Sequence, residues 1–360
     1  MADEQQTELT RAFSGMGGLG VDEAALVSAV TRWRRQPEKR AQFRRSFPGF
    51  FSASAGAGAG IERCEDEFVT HLEDEFARLR DAAVMWAMHP WERDARWAHH
   101  VLMHHHSHHH GDAAAAAALV EVACARAADD LLGARRAYQA LYHRSLEEDV
   151  AYRLVKDANA NVSSNWLKSR FCEWTLACTP RARSSDELFW LQLLLGLVTA
   201  YRYEGDRVSE ELAKEEAKAL SAAVKSSASG KAKVVQDEQV VRVLTTRSKP
   251  QLRATFKIYK ELQGKTLEED FAGEPCLQEA VKCLDSPARY FSEVIHGAFK
   301  DGADKQAKAA LTRVVVSRAE ANMEEIKDTY AKQYGAKLVD VVAKNTHGHY
   351  KDALLAMIGK

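Results

Sequence analysis

An all-α fold is predicted by three features of the sequence. Prolines number 7 in 360 residues, roughly 2% against an average near 5%, so few points interrupt a helix. The chain is 46% hydrophobic and 28% charged, which excludes fibrous and wholly disordered classes and leaves ample residues for a core. Third, a segment recurs. Residues 120–150, 241–271 and 312–342 align without gaps. In each, an arginine (Arg126, Arg247, Arg318) precedes a tyrosine (Tyr138, Tyr259, Tyr330) by 12 residues and a leucine (Leu146, Leu267, Leu338) by 20. Fixed-period similarity of this kind marks a repeat architecture.

Taken in order, the chain opens on a polar, acidic stretch (1–10) in which no signal or transit peptide is legible. A helix carrying Leu9 and Phe13 is followed by a glycine-rich turn at 16–20 and a second helix starting near Asp22. A weaker copy of the repeated segment lies at 26–51, where Arg35 and Phe47 are again 12 apart if two residues are inserted. Residues 51–61 (FSASAGAGAGI) read as a flexible Gly/Ala/Ser loop inside the first unit. Pro90, Gly205 and Pro287 mark the entries of the longer helices that end successive units. Asp112 reads as the N-cap of an alanine-rich helix. An insertion at about 153–188 carries Trp166, Phe171, Trp174 and Leu176, suggesting a partly packed helix. Ile326, Tyr330 and Tyr334 recur at helical spacing, with Gly335 in the link to the next helix. The arginine spacings of 71, 121 and 94 (247 to 318, 126 to 247, 32 to 126) show one ordinary period and two lengthened ones.

Charge bounds the function. Lys+Arg number 50 and Asp+Glu 51, a formal net charge of −1, so the basic excess that drives nonspecific binding to nucleic acid or anionic lipid is missing. Attraction to a phosphate-rich surface then needs local chemistry or an added cation. The longest apolar run, 188–200, is too short for the ~20 residues of a spanning helix and contains Gln192. The six cysteines form no CxxC pair and read as buried thiols in a reducing cytosol.

Four stretches carry a resemblance. Residues 310–359, 240–260 and 197–218 resemble the fourth, third and second repeats of the annexins, the plant branch in particular, and GMGGLGVDE (15–23) resembles the first repeat's ion loop. The resemblance implies four repeats of about five helices each, forming a curved disc whose convex face carries calcium loops. They fall at 1–97 (with the 51–61 insertion), 98–205 (with the His-rich loop and the second insertion), 206–288 and 289–360. It also implies a cytoplasmic protein that joins membranes peripherally when calcium rises, and a part in plant stress responses.

The first loop has chemistry suited to that role. Its glycines let successive carbonyls converge, and calcium takes oxygen ligands at about 2.3–2.6 Å. Met16, Gly18 and Gly20 supply carbonyls; by the family's pattern the bidentate carboxylate comes from the loop between the fourth and fifth helices. Counting back from Pro90 places Glu75 there, with Glu73 and Asp74 one or two positions away. Water and lipid phosphate complete the shell, so calcium bridges protein to acidic phospholipid. Val21 stands where the family has threonine. In the fourth repeat Lys300–Asp304 and Asn345 replace the family's loop and aspartate, leaving Gly302 as a weak candidate. The third repeat lacks the glycine loop, and the second has seven residues, His104–His110, in its place. One calcium site, at most two, is expected. The histidine run is either a low-complexity expansion or a place for Zn²⁺, Ni²⁺, Cu²⁺ or pH-dependent charge.

Enzyme readings lose their residues. No phosphate-binding loop, GxSxG elbow or HExxH occurs, and where peroxidase-like activity in plant relatives has been tied to a first-repeat histidine, this chain has Arg32-Trp33-Arg34-Arg35. The acidic triplets 147–149 and 268–270 occupy matching repeat positions, which favours structural ion pairs and helix caps. Val241-Arg242-Val243 stands where the family has an actin-associated tripeptide, so actin is a partner the resemblance allows, with core packing as the plainer reading. The basic run 34–45 is read either as a lipid-facing patch or as a solvated helix face. The sequence thus points to calcium-dependent docking on acidic phospholipid, with a calcium-weakened protein-interaction scaffold as the alternative.

Overall fold

The computed structural model describes residues 19–25, 51–53, 62–64, 66–104, 110–158, 193–199, 202–228 and 237–359, with a few single positions between them. Helix dominates. After a hairpin of β1 (Phe51–Ala53) and β2 (Glu62–Cys64) come α1 (Asp66–Ala87), α2 (Pro90–His104), α3 (His110–Ala125), α4 (Ala128–Tyr142) and α5 (Leu146–Ala158). Then follow α6 (Glu210–Ala228), α7 (Glu238–Thr246), α8 (Lys249–Gln263), α9 (Leu267–Asp270), α10 (Pro275–Asp285) and α11 (Pro287–Ala298). The chain ends with α12 (Lys305–Arg318), α13 (Met323–Tyr334), α14 (Leu338–Asn345) and α15 (Gly348–Ile358).

Three local expectations are corrected. Residues 51–53, read as the start of a loop, form a strand with Phe51 opposite Cys64 in an antiparallel pair; backbone pairing there satisfies groups that a bare loop would leave to solvent. Gly205 does not open a helix. Residues 202–209 run without helix, and α6 starts after Ser209, whose hydroxyl accepts from the Leu212 N–H (3.3 Å) while its own backbone is clamped by the Gln251 amide (2.8 and 3.1 Å). Asp112 lies inside the first turn of α3 rather than before it. Pro90 and Pro287 do stand at helix starts. Residues 159–188 of the insertion at about 153–188, with Trp166, Phe171, Trp174 and Leu176, residues 105–109 of the histidine run and most of 29–50, including Arg34, Arg35, Arg40 and Arg44, lie outside the described residues.

The chain packs as two units, Met1–Met88 with Phe291–Lys360, and His89–Tyr290. In the second, the repeated residues explain themselves. Arg126 forks onto Asp94 (2.6 and 2.9 Å) and Arg247 reaches Glu216 (2.5 Å), both acids buried. The Tyr138 hydroxyl donates to Asp149 (2.6 Å) and the Tyr259 hydroxyl to Asp270 (2.6 Å); burial first, then the carboxylate, pushes both phenols well above the usual tyrosine range. Glu148 and Glu269 close capping boxes with Ser145 and Thr266, while Glu147 pairs with Arg135 and Glu268 with Lys282 and Arg289. The acidic triplets are therefore structural in every member. Gly133 matters for close approach: a Cβ there would enter the Trp91 ring, whose indole N–H donates to Asp130 (3.1 Å). Cys124, Cys276 and Cys283 are buried, reduced thiols, and burial raises Cys124 to about 11. Of the Val241-Arg242-Val243 tripeptide, Val243 is fully buried in the core, while Arg242 is exposed and donates to Gln239 (2.7 Å).

In the first unit the same positions solve the problem differently. The Arg318 guanidinium lies 4.5 Å from the Phe291 ring centroid, a cation–π contact where Arg126 has Asp94. Val341 stands 11 residues after Tyr330, where Tyr138 and Tyr259 have their aspartates. The Tyr330 hydroxyl instead meets His296 Nδ1 (3.2 Å), and His296 stacks on Tyr334 at 3.9 Å. Burial, then the nearby Lys300 charge, holds His296 below its ordinary value. Because the unfolded chain binds that proton more readily, its contribution is intact above about pH 6.5 and withdrawn as pH falls. Urea midpoints should therefore drop between pH 7.5 and 5.5, and His296→Gln should flatten that part of the dependence.

Candidate functional site

The first loop is fixed by the segment between α14 and α15. The Leu19 N–H donates to the Asn345 carbonyl and the Leu19 carbonyl accepts from His347, both at 2.8 Å. Gly20 has φ +101°, and a Cβ there would sit 2.7 Å from the His347 oxygen, so glycine is required. Its N–H donates to Glu75 Oε2 at 2.6 Å, across 55 residues.

Glu75 and Gly20, paired from sequence, are thus brought together; Met16 and Gly18 lie outside the described residues. Glu75 stands inside α1 rather than in a loop between helices. The reason is compositional: residues 66–87 contain no glycine or proline, so nothing interrupts the helix. The position gives Glu75 a partner absent from the sequence reading. Arg78, one turn on, donates Nε to Oε2 (3.2 Å) and Nη2 to Oε1 (3.0 Å); Glu75 is buried and Arg78 mostly so, at 5% and 10% exposure. The i,i+3 spacing of Glu75 and Arg78 was legible; that the pair would be buried against the loop was not.

Two further oxygens lie against Gly348. Glu23 Oε2 accepts from the His349 N–H (3.2 Å). Gly348, φ +60°, leaves a space in which a Cβ would overlap both Glu23 Oε2 and the Val21 carbonyl. Among the described residues no three His, Cys, Asp or Glu side chains converge as a metal-holding group. Carboxylate and carbonyl oxygens of the kind found at Glu75, Glu23 and Val21 are the hard donors that calcium takes.

The fourth-repeat turn is differently disposed. Gly302 (φ +76°) is exposed, but Asp304 is spent capping α12 through the Ala307 N–H (2.7 Å). The Asn345 amide donates back to the Val341 carbonyl (2.7 Å). Lys305 holds Asp74 at 2.8 Å.

Repeated helical segments with a glycine loop pinned to a distant carboxylate define the class as a helical-repeat protein of annexin type. The family model described as Annexin matches residues 215–275 and 290–357. The chain is 39% identical to Annexin D4 of Arabidopsis thaliana over 98% of its length and 97% of the relative's, and 32% identical to Annexin Gh1 of Gossypium hirsutum over 99% and 95%. It shares the fold of chicken annexin V (TM-score 0.61, 22% identity, covering 100% of this chain and 96% of that one) and of calcium-bound annexin (Sm)1 (TM-score 0.57, 19% identity, 100% and 90%). The chain belongs to the annexin family, with plant members among its relatives.

Proposed function

We propose that this annexin docks reversibly on acidic phospholipid through calcium held at the first loop. The observation that carries the reading is the contact of a buried carboxylate, Glu75, with Gly20. Residues that would hold the ion are Glu75 and the carbonyls of Met16, Gly18 and Gly20, with Glu23 and the Val21 carbonyl beside them. Calcium would supply the positive charge that a net −1 chain lacks. The protein residues orient oxygens and keep the loop rigid, leaving one side for lipid phosphate. No helix among the described residues is long and apolar enough to cross a membrane, in keeping with peripheral attachment. The repeat boundaries at 97, 205 and 288 belong to this reading. Gly302 is a weaker second site, since its neighbours Asp304 and Asn345 already have local partners.

Co-sedimentation with phosphatidylserine vesicles tests it: the protein should pellet at millimolar calcium and stay in solution with chelator. Equal partition in both conditions refutes calcium bridging. A second reading, a scaffold with weakened calcium binding, is favoured by the full occupation of both Glu75 oxygens. It predicts no calcium-dependent pelleting and a protein partner, with actin among those to be tried.

A further inference from the structure

Calcium coordination by Glu75 and its present contacts compete for the same lone pairs. Bidentate ligation needs both carboxylate oxygens, and each already accepts from Arg78 in a forked, charge-assisted pair. A guanidinium so placed carries a full positive charge close to where the ion's would lie, so the two cations exclude one another. The pair is also hard to screen, because Glu75 is 5% and Arg78 10% exposed. The backbone reinforces the closed arrangement. The Leu19–Gly20 peptide is held at both ends, its oxygen by His347 and its N–H by Glu75, so the loop presents a donor to the carboxylate.

We infer that Arg78 is a resident counter-cation that sets the calcium threshold of the first loop, occupying Glu75 at resting calcium and yielding it only when calcium is high. The inference rests on Glu75 being a calcium ligand. The closed state taxes affinity by the fraction of molecules it holds, so if it holds about 90%, removing it strengthens binding roughly tenfold. Arg78 acts by position, and glutamine there keeps much of the side chain's bulk while removing the charge.

The experiment is calcium titration of the full chain and its variants, by calorimetry without lipid and by sedimentation with phosphatidylserine vesicles, circular dichroism confirming the fold. Arg78→Gln should lower half-maximal calcium roughly tenfold in both. Arg78→Lys, which keeps the charge but loses the fork, should lower it by a smaller factor and stands in if the glutamine variant fails to fold. A threshold unchanged or raised in the folded variants overturns the inference while leaving the proposed docking intact. If the wild type binds no calcium but Arg78→Gln does, the counter-cation is supported and the docking reading fails for the native chain. If neither binds, both fail.

Discussion

Glu75→Gln is expected to remove calcium-dependent pelleting with phosphatidylserine vesicles and, separately, to destabilise the unit formed by Met1–Met88 and Phe291–Lys360. The two effects have different causes. Loss of pelleting follows if the carboxylate is a bidentate calcium ligand, because a neutral amide oxygen binds a hard cation far less strongly. Destabilisation follows from Arg78, which would be left buried without a counter-charge. Stranding one partner of a buried pair costs about 3 kcal/mol or more. The Gly20 N–H would also exchange a charged acceptor for a neutral one. The double variant Glu75→Gln with Arg78→Met separates them: neutralising both sides should restore the urea midpoint but not the calcium response. Recovery of both would make Glu75 a structural staple and place the ligand elsewhere.

Asp94→Ala should be the most damaging change in the other unit. Asp94 is 5% exposed and receives both Nε and Nη2 of Arg126, with Arg93 4.0 Å away. Removing it leaves buried guanidinium charge unmatched, and the expected cost is about 3 to 5 kcal/mol, read as a lower urea midpoint for His89–Tyr290. Asp94→Asn should cost less, since the amide oxygen still accepts one bond. The corresponding position four residues after Pro287 is Phe291, which packs its ring against Arg318. The fold therefore tolerates an aromatic partner for this arginine when the surrounding residues are built for it. A single Asp94→Phe exchange would not reproduce that outcome, because interiors are close-packed and the ring needs space that only several coordinated changes supply.

Repetition in the chain carried much of this. The 12- and 20-residue offsets from Arg126, Arg247 and Arg318 located helices and their tyrosine and leucine anchors, since helical periodicity and repeated spacing are properties of the chain alone. The matching of the acidic triplets already implied structural pairing, and the structure added the capping boxes at Ser145 and Thr266. The non-helical run at 202–209 was hidden because a glycine there resembles a helix entry; the helix start is held by a clamp from Gln251, 42 residues away in the sequence.

By itself, then, the sequence determined the all-α class, the repeated unit and the near-zero net charge, and its resemblance to the annexins paired Gly20 with Glu75. Tertiary structure decided what that pairing consists of. It placed Glu75 within a continuous helix, buried it, and gave its oxygens to Gly20 and Arg78, while the Asn345–His349 segment took the loop's remaining backbone bonds. The physical reason is that a carboxylate's partner is chosen by distance and burial. Neighbours three residues away can be read from helical spacing, but exclusion of water around a charge depends on segments hundreds of residues apart meeting at one point.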